Sequence, residues 1–358
     1  MRNLDRFEGC MIGGAAGDAL GYAIEFNDLS EIKEKYGENG ITEFDLHKNV
    51  APVSDDTQMS LFTATGLLAG TYARKEKGED RPYRYYINRS YKDWYRTQIE
   101  NYPLCDGPIY SWLSQVSEMF ADRSPGTSCM SALRKGGNGT MDNPVNDSKG
   151  CGGIMRVAPV ALYFLDKKLS VEEVDMMAAE AAALTHGHSL GYMPAAALAH
   201  IIYLVAGEEE PSLKEAVDDM KDTMKLLFEK EEELPVMIEL IEKAEQLAYE
   251  GIDDVQAISR IGEGWVAEET LAIGIYCALK YEDDFEKAVI AAVNHRGDSD
   301  STGAVTGNIM GALMGINKIP EKFIEDLELK DIILELASDL CYENLERYEE
   351  LYAGGENE

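Results

Sequence analysis

Hydrophobic residues recur at spacings of three and four along most of the chain, which is the pattern of helices that bury one face. In residues 213–228 this face carries four apolar side chains: Val217, Met220, Met224 and Leu227. Three further segments have helical composition or spacing: 171–184, which opens with acidic residues as helix N-termini favour, 237–248 and 267–281. The pattern therefore predicts a chain dominated by helices.

Alternating patterns typical of strands are scarce, and the best of them, ITEFDL at residues 41–46, is short. We therefore predict an all-α protein. The acidic stretch 207–234 is interpreted as a solvated helix-turn-helix region and not as a hinge between domains. The predicted organisation is a single domain over residues 1–350, followed by a frayed acidic tail at residues 351–358.

Glycine recurs every fourth residue in two distant segments. The first contains Gly13, Gly17 and Gly21, and the second contains Gly303, Gly307, Gly311 and Gly315. On a helix this spacing lines one face with hydrogen atoms, so that another backbone can approach closely. Pairing within a membrane is excluded because charges flank both short segments. We predict that the two segments pack near each other at the centre of the fold, either as a plain core contact or as one that also brings their loops together.

The composition describes a soluble globular protein with an unusual charge. Of the 358 residues 45% are hydrophobic and 28% are charged, and the net charge is −33. This charge argues against long nucleic acids and anionic membranes as partners. We find no run of about 18 apolar residues, and the six cysteines form no CxxC pair. We expect a cytoplasmic monomer with reduced thiols and no membrane association.

Two acid-rich loops each precede an apolar, helical run. The first is Ser54-Asp55-Asp56-Thr57, and the second carries Asp298 and Asp300 followed by Ser301 and Thr302. One interpretation is helix capping, because Asp, Ser and Thr accept hydrogen bonds from free backbone N–H groups at an N-cap. The other is a site for a hard cation, since carboxylate and hydroxyl oxygens suit Mg²⁺, Mn²⁺ or Ca²⁺. Capping explains one residue in each loop but not two carboxylates in both.

Five motifs in order resemble the ADP-ribosylglycohydrolase family, which includes the enzyme that reactivates ADP-ribosylated dinitrogenase reductase. They are GDALGYAIEF (17–26), SDDT (54–57), GCGGIMRVAP (150–159), THGHSLGY (185–192) and GDSDSTGAVTGNIMGA (297–312). The resemblance covers about residues 5–316. It implies a single large multi-helix orthogonal bundle with two Mg²⁺ or Mn²⁺ ions in a cleft. It also implies hydrolysis of the glycosidic bond between ADP-ribose and an acceptor side chain.

The resemblance implies roles for the residues of both acidic loops. The implied metal ligands are Ser54, Asp55, Asp56, Asp298, Asp300 and Ser301, and the implied catalytic residues are Glu25, Asp56 and Asp300. Ser54 and Ser301 stand where the family often has Thr, and a serine hydroxyl can ligate in the same way. Asp18 resembles a position of structural character. For Glu25 the alternative is an exposed acid at a helix end.

Other motifs are assigned to substrate by the resemblance. Gly126, Thr127 and Ser128 open a helix whose N-terminus suits the pyrophosphate of ADP-ribose, the alternative being an ordinary capped helix. The part of the site that contacts the ribose and phosphate groups is assigned to Gly152, Gly153 and Met155. His186 is assigned either a substrate contact or a structural role. A metal pair of His186 and His188 is rejected, because the acidic loops suit a hard metal better. Trp265 is placed in the core or near the adenine, and Glu268 is placed near a polar group of the adenine or ribose.

Two other functions compete with this interpretation. A prenyl-diphosphate synthase is also all-α with acidic metal motifs, but its motif needs an acid where this chain has Met59. A catalytically silent ADP-ribose-binding or structural, crystallin-like protein on the same scaffold remains an alternative, although all four aspartates of the loops are present. The expected partner is an ADP-ribosylated protein or a small ADP-ribosyl conjugate. The sequence does not distinguish arginine, serine or another acceptor.

Overall fold

A computed structural model describes residues 2–167, 169–209 and 211–353. These residues form sixteen α-helices joined by turns and short 3₁₀ segments. The helices are Leu4–Tyr22 (α1), Leu29–Tyr36 (α2), Asp55–Lys77 (α3), Tyr83–Ile99 (α4), Thr127–Arg134 (α5), Ala158–Phe164 (α6), Val171–Ala183 (α7), Ser189–Ala206 (α8), Leu213–Leu227 (α9), Leu234–Tyr249 (α10), Asp254–Ile261 (α11), Ala267–Lys280 (α12), Phe285–Val293 (α13), Ser299–Met314 (α14), Lys330–Tyr342 (α15) and Glu346–Ala353 (α16). The all-α prediction is confirmed.

The segment with the best strand pattern, residues 41–46, forms no strand. Within the described ranges, β-type pairing is limited to three isolated bridges. The backbone of Ile41 is instead held by the side chain of Asn294, which accepts from its N–H and donates to its carbonyl, both at 2.8 Å. A side-chain amide thus satisfies the backbone groups that a sheet would otherwise use.

The four helices predicted from the sequence form as α7, α9, α10 and α12, and two of them begin with a capping box. At the start of α7, Ser170 and Glu173 exchange the two hydrogen bonds of a capping box, and Ser212 and Glu215 do the same at α9. The acidic stretch 207–234 contains α9 and the turn that leads into α10, as predicted. These local bonds fix where α7 and α9 start, and the apolar face of each helix then determines which side is buried.

The glycine-lined faces of α1 and α14 pack directly against each other. A Cβ atom added to Gly17 would lie 2.0 Å from the carbonyl oxygen of Gly303, and one added to Gly13 would lie 2.3 Å from that of Gly307. Real side chains cannot approach so closely, so only glycine permits this contact. The prediction that the two segments meet is confirmed. The contact also brings the C-terminal end of α1 to the N-terminal end of α14, because Gly21 meets the Ser299 carbonyl.

One cluster of buried apolar residues runs from Phe7 in α1 to Tyr348 in α16. In the described part of the chain, α8 alone is long and apolar enough to cross a membrane, and 83% of that stretch is buried inside the protein, as expected of a core helix. Residues 351–353 of the predicted tail belong to α16, and residues 354–358 lie outside the described residues.

Candidate active site

The first acidic loop leads into α3. Ser54 is the N-cap, and its Oγ accepts a hydrogen bond from the Asp56 N–H at 3.1 Å. The capping interpretation therefore holds for Ser54. Asp55 and Asp56 lie in the first turn of α3, where they are 5% and 3% exposed. Neither carboxylate is needed as the cap, so both are available to another partner.

The second acidic loop leads into α14. Asp298 occupies the N-cap position, but its side chain makes no capping bond. Asp300 Oδ1 accepts from the Ser301 N–H at 2.8 Å, and Ser301 Oγ donates to Asp56 Oδ2 at 2.8 Å. This last bond joins the two loops. Five of the six residues implied as metal ligands line one cleft, and the sixth, Ser54, is fully buried as the N-cap of α3.

Asp18 organises the first loop from α1. Its carboxylate accepts from the Ser54 N–H at 3.0 Å and from the Thr57 N–H at 3.1 Å, and it also accepts from the Thr57 hydroxyl. Asp18 is fully buried one residue after Gly17, so the close packing of α1 on α14 places it between the loops. The structural character expected of Asp18 is confirmed.

Glu25 completes the acidic cluster. One oxygen each from Glu25, Asp298 and Asp300 lies within 4.8 Å of the others, as at a metal-binding site. Glu25 is 8% exposed, so its interpretation as an exposed helix-end acid is wrong. Its Oε2 is buried and has no hydrogen-bond partner among the described residues. A buried carboxylate oxygen without a partner is costly, which indicates that this atom serves a ligand.

Burial and mutual repulsion raise the pKa values of the clustered acids. Burial first, and then Asp300, raises the pKa of Glu25 to about 9 and that of Asp18 to about 7. The same two causes hold the pKa well above its usual range for Asp55, Asp56 and Asp298. None of the described residues that line the cleft is Lys or Arg. An oxygen-only cluster that lacks a protein counter-charge fits a hard divalent cation.

The cluster forms one side of a cleft of about 190 Å³. On the other side α5 begins, with Gly126 as a cap residue that has no side-chain capping bond. The Gly126 N–H donates to Asp55 Oδ2 at 3.4 Å, and Thr127 and Ser128 also line the cleft. The start of this helix therefore lies beside the acidic cluster.

The GCGG motif at residues 150–153 lies against His186. A Cβ atom on Gly152 would be 2.9 Å from both the His186 ring and the Cys129 sulfur, so glycine is required there. Gly152, Met155 and His186 line the cleft. Gly153 does not line it, because it packs against the Gly191 carbonyl, 2.9 Å from the position of its missing Cβ. Its assignment to the ligand wall is therefore not supported by its position.

The histidines near the motifs have different surroundings. His186 is buried, its Nδ1 lies 2.8 Å from the Thr185 hydroxyl, and burial lowers its pKa to about 3, so the ring is neutral. His188 is the N-cap of α8 and accepts from the Leu190 N–H at 3.1 Å. Of the two, only His186 faces the cleft, in agreement with rejection of a histidine metal pair.

The structure rules out one of the two positions predicted for Trp265 and gives Glu268 a protein partner. Trp265 is not in the core: it is 41% exposed, lines the cleft and stacks on Phe26 with ring centroids 6.2 Å apart. Glu268 is not among the residues that line the cleft. It is 4% exposed, and its carboxylate pairs with Lys149. The Lys149 side chain is 41% exposed, and the other oxygen of Glu268, Oε2, is buried without a hydrogen-bond partner among the described residues.

Sequence reasoning missed Cys151 and Phe26. Cys151 lines the cleft, and its thiol donates to Asp298 Oδ2 at 2.8 Å. The position of Cys151 inside the GCGG motif was the available signal. Phe26 directly follows Glu25, and nothing in its local sequence indicates that its ring is 73% exposed.

Comparison with known proteins is consistent with this geometry. A family model described as ADP-ribosylglycohydrolase matches residues 1–350. The chain is 26% identical over 91% of its length to ADP-ribosylhydrolase ARH3 of Bos taurus, covering 90% of that protein. It is 24% identical over 91% of its length to the ADP-ribosyl-[dinitrogen reductase] glycohydrolase of Rhodospirillum rubrum, covering 91% of that protein. A solved ADP-ribosylglycohydrolase-related protein complex superposes with a TM-score of 0.62 at 23% identity, over 94% of this chain and 97% of that one.

Proposed function

The chain belongs to the ADP-ribosylglycohydrolase family, and from this premise we propose that it is a metal-dependent hydrolase that releases ADP-ribose from an ADP-ribosylated protein or a small conjugate. The observation that carries the proposal is the hydrogen bond from Ser301 to Asp56, which closes two acidic loops around one buried cleft. The reaction adds water across the glycosidic bond, so that the anomeric carbon gains a hydroxyl and the acceptor gains a proton. We also propose that the protein is a monomer located in the cytoplasm.

We propose two Mg²⁺ or Mn²⁺ ions as the cofactors of this cleft. The residues that would hold them are Ser54, Asp55, Asp56, Asp298, Asp300 and Ser301. Their fit is supported by the absence of basic residues among the described residues of the cleft lining and by the unpartnered oxygen of Glu25. Divalent cations in such a site would neutralise the carboxylates, orient ribose hydroxyls and lower the pKa of a bound water.

Glu25 is the residue best placed to move a proton. Its Oε2 is buried without a partner among the described residues, and one oxygen of its carboxylate lies within 4.8 Å of oxygens from Asp298 and Asp300. In the proposed reaction Glu25 gives or takes this proton at the glycosidic bond. Asp56 and Asp300, which are held by Ser301, supply negative charge beside the oxocarbenium-like carbon.

The pyrophosphate is placed at the start of α5. Backbone N–H groups and the dipole at a helix N-terminus favour an anion, and Gly126, Thr127 and Ser128 line the cleft there. Gly152 and Met155 would contact the ribose closely, and neutral His186 offers its ring edge beside Gly152. The helix N-terminus would offset the repulsion between the pyrophosphate and the neighbouring carboxylates.

The test is release of ADP-ribose from ADP-ribosyl-arginine and ADP-ribosyl-serine peptides, with Mg²⁺ or Mn²⁺ and with a chelator. We expect release from at least one peptide with metal and a loss of release with chelator. No release from either peptide, in a protein that still binds ADP-ribose, would instead indicate the catalytically silent binding protein. Failure to bind ADP-ribose as well would favour the structural, crystallin-like alternative.

A further inference from the structure

A second cavity of about 470 Å³ adjoins the catalytic cleft. Glu25 and Trp265 line both spaces, so the two are continuous at these residues. The second cavity includes none of the residues at the start of α5. It therefore lies where the part of the substrate beyond the anomeric carbon would extend.

Carboxylates dominate the lining of this second cavity. Glu25, Asp28, Glu31 and Glu263 line it, against a single base among its described residues, Arg296. Arg296 Nε lies 3.6 Å from Glu263 Oε1, and both side chains are solvated. The cavity therefore repels a pyrophosphate and attracts a cation.

An aromatic pair forms another part of the lining. Phe26 and Trp265 stack with an interplanar angle of 21°, and they are 73% and 41% exposed. Exposed stacked rings beside carboxylates are the arrangement that binds a planar cation, because the ring face attracts positive charge and the carboxylates accept its N–H groups.

The acidic groups are held in place by other contacts. Asp28 and Glu31 form the capping box of α2, with Asp28 Oδ1 accepting from the Ser30 N–H at 2.8 Å. The Glu263 carbonyl accepts from the Asp298 N–H at 2.8 Å, which fixes the segment carrying Trp265 against the second acidic loop. The cavity is thus built on the same elements as the catalytic cleft.

Glu25 lies at the junction of the two spaces. It is 8% exposed, lines both spaces and has an Oε2 without a partner among the described residues. A buried unpartnered carboxylate at the point where the glycosidic bond would lie is suited to a donor on the departing acceptor.

We propose that the second cavity binds the acceptor group of the substrate and that this acceptor is a guanidinium, so that ADP-ribosyl-arginine is cleaved in preference to ADP-ribosyl-serine. The inference rests on the proposed function. The guanidinium stacks on Trp265 and Phe26, and the carboxylates of Asp28, Glu31 and Glu263 attract its charge. A serine hydroxyl is neither planar nor charged, so this lining does not favour it.

The experiment compares kcat/KM for ADP-ribosyl-arginine and ADP-ribosyl-serine peptides with otherwise identical, neutral sequences. The triple variant D28N/E31Q/E263Q removes three charges, while Asn at the N-cap and Gln at the third helical position keep the capping box of α2. We expect the arginine peptide to lose about tenfold or more in kcat/KM and the serine peptide to change by less than about twofold.

The matched control is the triple variant E229Q/E232Q/E239Q, which removes the same charge from three exposed residues that line neither cavity. It should leave the ratio between the two peptides unchanged. Cleavage of serine as fast as arginine by the wild type would overturn the guanidinium proposal and leave the hydrolase intact. An equal loss for both peptides in the first triple variant would also overturn it. If neither peptide is cleaved, the result contradicts both the proposed function and this inference.

Discussion

Ser301 Oγ donates a hydrogen bond of 2.8 Å to Asp56 Oδ2, across 245 residues of sequence. The bond spans the N-terminal turns of α3 and α14, and the glycine contact holds α14 against α1. Asp18 extends from the same face of α1 to the Ser54 and Thr57 N–H groups. Helix packing thereby determines the spacing of the carboxylates.

Asp300→Asn tests the chemistry of the second loop. We expect kcat to fall on the order of 10²–10³-fold, because the variant removes a charge beside the reacting carbon. In chelator its melting temperature should equal or exceed that of the wild type, since burial raises the pKa of Asp300 and the ionised form is therefore disfavoured in the fold. The measurements are ADP-ribose release and thermal unfolding.

The matched control for this variant is Asp284→Asn, which keeps the N-cap of α13 at a solvated position. It should change neither kcat nor the melting temperature appreciably. A large loss of melting temperature in Asp300→Asn would mean that this aspartate stabilises the fold, contrary to the proposed catalytic role.

The pH dependence of stability tests the acidic cluster without substrate. The raised pKa values of Asp18 and Glu25, about 7 and about 9, mean that the folded protein binds more protons than the unfolded chain. Their contribution is fully present below about pH 4 and is lost as the pH rises through 7 to 9. We therefore expect the metal-free protein to lose melting temperature between pH 6 and pH 9.

Two comparisons isolate this effect from other titrating groups. Glu25→Gln should flatten the slope in chelator, because it removes the group with the higher of the two pKa values. Saturating Mn²⁺ should also flatten it, because the cation stabilises the ionised carboxylates. A slope that is the same in wild type and Glu25→Gln would show that the buried cluster does not titrate in this range.

The contact between α1 and α14 is tested by Gly17→Ala. The added Cβ would meet the Gly303 carbonyl at 2.0 Å, so the helices must separate. We expect a loss of about 3 kcal/mol in the free energy of unfolding, measured by urea denaturation, as overpacked cores show. Gly126→Ala is the control: its Cβ would meet nothing within 4 Å, so it should cost only about 1 kcal/mol for a poorer N-cap of α5. Equal losses in the two variants would contradict the close helix contact.

Salt dependence tests the effect of the net charge of −33 on substrate binding. The acidic surface repels the pyrophosphate from a distance, and moderate salt screens this repulsion, so KM should fall as NaCl rises from about 10 mM to about 150 mM. Steady-state kinetics at constant metal concentration give the measurement. A KM that rises steadily over this range would indicate that attraction at the cleft outweighs the global repulsion.

Much of the fold follows from local signals in the sequence. The spacing of Gly13, Gly17 and Gly21 against the later glycines predicted the central helix contact, because only one kind of packing makes use of such a stripe. The acidic residues that open the segment 171–184 indicated the start of α7. The acidic loops were recognisable because two carboxylates in each exceed what capping requires.

The remaining features depend on contacts between distant parts of the chain. Glu268 has its partner 119 residues away in Lys149, and Cys151 has its partner 147 residues away in Asp298. The exposure of Trp265 is likewise set by tertiary packing. Aromatic residues are more often found buried than exposed, so sequence alone favoured a core position that the structure does not show.

Anomalous diffraction at the manganese edge, from crystals grown with saturating Mn²⁺, tests the central claim most directly. The account predicts anomalous peaks between the two loops, within coordination distance of carboxylate oxygens from Asp55, Asp56, Asp298 and Asp300. A map without a peak there, or with manganese bound only elsewhere on the acidic surface, would contradict the claim that these loops form the metal centre of a hydrolase.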